Sequence, residues 1–253
     1  MSETTVEFAI ATEDRGRVRI LTLDRAEKLN CFTPVGYDRL SEALAAAEVD
    51  DGIAVCVLTG SGRAFSAGVD LSVMDRPDGG AELGRHFDPL LEQLARFSKP
   101  LVAAVNGLAV GFGATILLHC DVVVVDEDAE IRMPFVSLGT CAEAASSWLL
   151  PRRVGMQQAS WMVLSGRGIS ASEAVANGFA LATASAGQAL DDALVLAEQM
   201  AVHATPALVA NKRLLRQGWV EAIAETWDRE RAAMLAMAEQ VGPIGWKQRR
   251  RPS

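Results

Sequence analysis

In the stretch Leu138 to Leu149, LGTCAEAASSWL, a single carboxylate, Glu143, stands among small and apolar residues. An ionised side chain in such a setting costs free energy unless something pairs with it. The same setting raises its pKa and makes it a stronger base, the direction general-base catalysis favours. Upstream lie two glycine-rich turns, Ser66-Ala67-Gly68-Val69-Asp70 and Gly111-Phe112-Gly113. Each follows a strand-like run, and the second opens a helix. Small residues let a ligand approach the backbone, and amides at a helix start point their hydrogens outward. Two such donors converging on one point make an oxyanion hole, suited to a thioester carbonyl becoming an enolate.

Two other chemistries compete for these residues. The segment from Ala103 to Gly113, AAVNGLAVGFG, follows a strand and opens a helix, and the next strand ends in Asp126, as in a dinucleotide site. The glycine pattern from Gly111 would, however, need glycine or alanine where Ile116 stands. A serine hydrolase would need G-x-S-x-G, and Ala64-Phe65-Ser66-Ala67-Gly68 misses it by one glycine. Of the histidines, His119 lies on an apolar segment and reads as a core residue.

The elements that must position these turns follow from periodicity. Arg17 to Asp24 alternates as a half-buried strand, and Ala54 to Thr59, Leu101 to Asn106 and Asp121 to Val125 read as strands. Thr33-Pro34 opens a helix by N-cap and N1 rules, running to about Glu48. Further helices are expected up to about Phe97, over Ala114 to His119 and over Ala144 to Leu150. In the last of these Glu143 would also suit a first helical turn. Alternating strands and helices imply βα units in a largely parallel α/β sheet. Beyond about residue 187 only helices are expected, one capped by Thr205-Pro206 and a long amphipathic one over Glu221 to Gln240 carrying Trp227. They either cover the core or form an oligomerisation arm.

Composition narrows the partners. The 253 residues carry a formal charge of −8, which disfavours a nucleic-acid or anionic-membrane surface. The run Lys247 to Arg251 reads as a solvated terminus. Cys31, Cys56, Cys120 and Cys141 are scattered, with Cys56 and Cys120 expected to be buried thiols. No apolar run is long enough for a bilayer and MSETTVEF is not a signal peptide, so the expected address is the cytoplasm.

The stretches AFSAGVDL, KPLVAAVNGLAVGFG, HCDVVVVDEDAEIRMPFVSLGT and LSGRGISASEAVANGFA resemble the crotonase, or enoyl-CoA hydratase/isomerase, superfamily over roughly residues 15 to 185. The resemblance implies a spiral core of ββα turns over residues 1–186, with a C-terminal helical arm over 187–253 that builds homotrimers or dimers of trimers. It implies an acyl-CoA thioester substrate and no separate cofactor, since coenzyme A is part of the substrate. By the same resemblance the amides of Val69 and Phe112 hold the thioester oxygen. The segment Arg25 to Leu29, with Lys28, and the loop Ala64 to Leu71 would contact the CoA moiety. Phe112 replaces the usual glycine, and its ring is expected to narrow the acyl pocket.

The hydratases of this superfamily divide their proton transfers between two glutamates, and the matching positions here hold Thr115 and Phe135. Neither can act as a carboxylate base. LGTCAEAASS instead resembles the LGxxPE stretch of the peroxisomal-type Δ3,Δ2-enoyl-CoA isomerases, with Glu143 at the position of their glutamate and Ala142 in place of their proline. One carboxylate can remove a proton from C2 and deliver one to C4 from the same face. Trp148, one turn beyond, is a candidate for lining the acyl pocket or for the core. The expected activity is therefore an enoyl-CoA isomerase. A hydratase or other thioester enzyme, and a non-catalytic acyl-CoA-binding protein, stand as the alternatives.

Overall fold

The computed structural model describes residues 7–76 and 78–241. The basic run Lys247 to Arg251 and most of MSETTVEF lie outside them. The chain enters as an antiparallel hairpin, β1 (Ala9–Arg15) and β2 (Val18–Asp24), followed by helix α1 (Pro34–Val49). It then runs the same course three times: a strand in one sheet, a short strand in a second sheet, then helix. The first course is β3 (Val55–Gly60), β4 (Ala64–Ser66), α2 (Leu71–Met74) and α3 (Gly79–Arg96). The second is β5 (Leu101–Val105), β6 (Leu108–Val110) and α4 (Phe112–Thr115), which tightens into a 3-10 turn over Ile116–His119. The third is β7 (Val122–Asp126), β8 (Glu130–Arg132), α5 (Phe135–Leu138), α6 (Ser146–Val154) and α7 (Met156–Ser165). After β9 (Ile169–Ser170), α8 (Ala171–Ala176) and β10 (Ala182–Ala184), the chain is helical: α9 (Ala189–Ala201), α10 (Thr205–Leu215) and α11 (Trp219–Val241).

Each course adds one strand to each sheet, which is why both grow in chain order: β1-β2-β3-β5-β7-β10 in one and β4-β6-β8-β9 in the other. Strands β2, β3, β5, β7 and β10 run parallel, as do β4, β6 and β8. The result is the spiral of ββα turns expected from the family resemblance. The central strands β3, β5 and β7 of the larger sheet are buried on both faces, so they read as nearly continuous apolar runs. Alternate residues serve different cores. Val55, Val57, Val102, Ala104 and Val124 pack beneath α9, while Cys56, Leu58, Ala103, Val105 and Val125 face the main core.

Several expected boundaries shift for local reasons. The cap of α1 is as expected, with Thr33 Oγ1 accepting the Gly36 N–H at 3.2 Å. Thr205, however, is already helical and Ala204 takes the cap position, because the Thr205 hydroxyl accepts Arg17 Nη2 at 2.6 Å instead. The helix expected from Ala144 begins at Ser146, after two residues with left-handed backbone, Ala144 (φ 56) and Ala145 (φ 58). Cys56 and Cys120 are buried, and burial pushes each thiol up to about 12.

One acid of the spiral, Asp121, anchors helix α10. Asp121, at the start of β7, accepts the Leu101 N–H at 2.8 Å, Lys212 Nζ at 2.7 Å and Arg216 Nη2 at 2.8 Å. Lys212 is buried and also donates to the Lys99 carbonyl at 2.7 Å. Removing the acid leaves a buried ammonium without its counter-ion. Asp121→Ala should therefore lower the unfolding free energy by about 3 kcal/mol, read as an earlier urea midpoint at unchanged slope.

Candidate active site

The parallel pairing of β4 with β6 sets Ser66 beside Ala109, so the two glycine-rich turns leave the sheet side by side. They are in close contact. A Cβ on Gly68 would lie 2.5 Å from the Val110 carbonyl oxygen and 3.3 Å from the Phe112 nitrogen, and its φ is +85°, so only glycine fits there. The next residue, Val69, and the first residue of α4, Phe112, are thus neighbours across the two turns. Around Val69 the flanking bonds are used, Phe32 N–H to Gly68 carbonyl at 2.7 Å and Asp70 N–H to Phe32 carbonyl at 2.8 Å. Among the described residues neither the Val69 nor the Phe112 amide has a hydrogen-bond acceptor. This arrangement, at the carboxyl ends of parallel strands, can bind an oxyanion.

Asn30 and Arg25 brace the first turn. Asn30 is fully buried; its Nδ2 donates to the carbonyls of Ser61 (2.9 Å), Ala64 (2.8 Å) and Phe65 (3.2 Å), and its Oδ1 accepts the Arg25 N–H at 2.9 Å. Arg25 Nη1 donates to Asp70 Oδ2 at 2.8 Å and to the Cys31 carbonyl at 3.2 Å. Burial alone would raise the Asp70 pKa, but bonds from Ser72 and Arg25 hold it below the ordinary carboxylate range. Asp70 thus bonds backbone, as its turn position suggested, and also anchors an arginine. The Arg25 guanidinium is buried in this pair, so Lys28 is the exposed cation of its segment.

Glu143 sits in the loop before α6 and remains partly exposed. Desolvation by the surrounding protein, helped by the negative charge of Glu230, pushes its carboxyl up to about 7. Its charge in turn raises the Tyr37 phenol further above the level that burial already imposes. The Tyr37 ring meets Phe112 edge-on at 5.4 Å between centroids. Phe32, Phe87, Tyr37 and Phe112 form one aromatic cluster, with centroids 5.0–5.4 Å apart around Phe112. The Phe112 ring is 1% exposed and spent in this cluster. The ring expected to narrow the acyl pocket is thus packed into the core, and the amide is left to the turn.

Two left-handed alanines behind Glu143 cost about 1–2 kcal/mol each, so other bonds must hold them. His119 Nε2 meets the Ala144 carbonyl at 2.9 Å. Burial lowers the imidazole pKa to about 4, so the ring is neutral and donates from Nε2. Glu230, on α11, accepts the Ala145 N–H at 2.7 Å, the Ser147 N–H at 2.9 Å and the Ser147 hydroxyl at 2.6 Å.

The remaining expected residues divide by exposure. Leu29, Ala67, Val69, Asp70, Leu71 and Gly111 are partly exposed around the turns, whereas Ala64, Ser66, Thr115 and Phe135 are buried. Ser66 Oγ donates to the Asn30 carbonyl at 2.8 Å and accepts the Gly68 N–H at 3.1 Å, so it holds the turn rather than serving as a nucleophile. Trp148 packs edge-on against Trp219 at 5.6 Å, with the Arg152 guanidinium 3.8 Å over its ring, which gives it to the α6–α11 junction. Sequence reasoning missed Tyr37 and Glu230. Tyr37 is the one tyrosine of the chain, a faint signal; Glu230 looks like any other acid of a charged helix.

A family model described as enoyl-CoA hydratase/isomerase matches residues 13–252. The chain is 40% identical over 222 residues to 2,3-dehydroadipyl-CoA hydratase of Escherichia coli, covering 88% of this chain and 87% of that one. It is 35% identical over 234 residues to 1,2-epoxyphenylacetyl-CoA isomerase of the same organism, covering 89% and 88% respectively. Among solved structures, an enoyl-CoA hydratase/isomerase from Pseudoalteromonas atlantica superposes with a TM-score of 0.88 at 31% identity, covering 97% of this chain and 99% of that one.

The raised pKa of Glu143 has a consequence for stability. A carboxyl whose folded pKa lies near 7, above its unfolded value of 4.5, favours the folded state while protonated in it and loses that advantage as pH rises through 7. Glu143→Gln should therefore melt above wild type at pH 8. The gap should shrink as pH falls from 7 towards 4.5, in thermal scans across that range.

Proposed function

The chain belongs to the enoyl-CoA hydratase/isomerase family, and we propose that its reaction is the shift of a double bond from C3 to C2 of an enoyl-CoA, with Glu143 carrying the proton. As a family member it acts on CoA thioesters. The observation that carries the finer reading is Glu143, its carboxyl pushed up to about 7, in a loop that His119 ties to the segment following the second turn; by the family resemblance, hydratases hold their glutamates where this chain has Thr115 and Phe135.

The Glu143 carboxylate takes a proton from C2 as the thioester carbonyl gains negative charge. The N–H groups of Val69 and Phe112 receive that charge, and electrons delocalise over C2, C3 and C4. The Glu143 carboxylic acid then returns the proton to C4, leaving the double bond between C2 and C3. An acid with a pKa near 7 suits both halves, because it is half-ionised near neutrality and neither step is strongly uphill. Lys28, Leu29 and the exposed edge of the loop 64–71 would take the CoA moiety, a reading supported by their exposure. Self-association through the helices past residue 187, as a trimer or a dimer of trimers, belongs to the same proposal; it is supported by the exposed Val202, Leu214, Leu215 and Leu235.

Hydration of a 2-enoyl-CoA is the second reading, favoured by the 40% identity to a 2,3-dehydroadipyl-CoA hydratase. The two separate in one assay. A medium-chain 3-enoyl-CoA should be converted to its conjugated 2-enoyl isomer, with negligible water addition to the 2-enoyl form. Glu143→Gln should lose roughly 10²–10⁴ in rate while binding the thioester almost as well. Rapid hydration of the 2-enoyl form without isomerisation would overturn the proposal in favour of the second reading.

A further inference from the structure

The acid partner of the Glu143 loop lies 85 residues further along the chain, on the last helix. Helix α6 starts without a side chain of its own to cap it: Ala145 takes the cap position in left-handed backbone and makes no side-chain bond. The first amides of a helix need acceptors from elsewhere. Here both oxygens of one carboxylate supply them, Glu230 Oε2 to the Ala145 N–H and Glu230 Oε1 to the Ser147 N–H and hydroxyl. Glu230 is 5% exposed, although its neighbours Arg229 and Arg231 pair outward with Glu225 and with Asp88 and Asp228. The Cys141 thiol closes the other side of the loop against the Glu230 carbonyl, with 3.6 Å from sulfur to oxygen.

Every residue after Glu143 is thereby tied. Ala144 is held by His119 from the second spiral course, Ala145 and Ser147 by Glu230, and the Ser146 N–H turns back to the Glu143 carbonyl at 2.9 Å. We propose that Glu230 is a positioning residue for Glu143: from α11 its carboxylate fixes the left-handed Ala145 and the first turn of α6 behind the acid, so that the C-terminal helix governs the aim of the proton shuttle and sets a negative charge near it. The inference rests on the assignment of Glu143 as that shuttle.

Among the described residues three donors hydrogen-bond the Glu230 carboxyl, so its ionised form is the one the loop is built around. Burial raises its pKa above the ordinary carboxylate value, and the bonds from Ser147 and Ala145 offset only part of that rise. The other titratable groups facing Glu143 are Tyr37 from α1 and Cys141 from its own loop, both neutral at working pH because burial raises them. His119, behind Ala144, is neutral as well. The charge acting on Glu143 is therefore that of Glu230.

The test compares wild type, Glu143→Gln, Glu230→Gln and Glu230→Asp, measuring kcat and KM against pH with a 3-enoyl-CoA. Glu230→Gln removes the charge and turns an amide against the Ala145 N–H. It should keep KM within a few-fold, lower kcat roughly ten- to hundredfold through misplacement of the acid, and move the acid limb of the profile to lower pH. Glu230→Asp keeps the charge but shortens the reach, so kcat should fall with the limb in place. Should Glu230→Gln not fold, the aspartate variant carries the test, and wild-type kcat in it would overturn the proposal. A wild-type limb in folded Glu230→Gln, with Glu143→Gln inactive, would overturn the role of Glu230 alone. Full turnover in Glu143→Gln would remove the shuttle itself and the inference with it.

Discussion

The contact on which the site depends is the one between two stretches of backbone, Gly68 against the Val110 carbonyl and the Phe112 nitrogen. It exists because β4 and β6 pair in parallel and end at the same level, so that consecutive courses of the spiral deliver equivalent turns to one place. Any side chain at position 68 would push the turns apart. Converging amides are effective because they are held by the sheet and need no reorganisation as charge develops. The short second sheet therefore matters less for its own stability than for the register it imposes on the turns that follow it.

Opposite this polar pair the protein keeps an apolar wall. The cluster of Phe32, Tyr37, Phe87 and Phe112 sits directly under the second turn, and the Tyr37 hydroxyl feels the charge of Glu143. The wall fixes α4 and hence the Phe112 amide, while burial in the surrounding protein is the larger cause of the raised Glu143 pKa. The stability given up by an unhappy carboxylate at neutral pH is the usual companion of a functional acid.

The C-terminal helices are joined to this arrangement rather than appended to it. Helix α9 covers one face of the large sheet, α10 grips Asp121 through Lys212 and Arg216, and α11 reaches the Glu143 loop through Glu230. Arg17 adds a further tie, donating to the Ala201 carbonyl at 2.6 Å and the His203 carbonyl at 3.0 Å. A change in how these helices pack would be felt at the acid through a short chain of hydrogen bonds, with no need for a long path through the core.

Much of this molecule was legible in its sequence. The apolar runs at Ala54 to Thr59, Leu101 to Asn106 and Asp121 to Val125 specify parallel strands, Thr33-Pro34 specifies a helix start, and the small-residue turns and Glu143 announce the chemistry, because these signals are local and steric. What the sequence left open is what ends up beside what. The helix expected from Ala144 starts two residues later, since a tertiary carboxylate and a buried histidine hold alanines in a conformation that local propensity disfavours. Tyr37 and Glu230 lie outside every motif, and Arg25 is drawn into a buried pair with Asp70. Periodicity records which face of an element is buried, but the partner of that face, and so the field around a partly buried acid, is decided only when distant segments pack together.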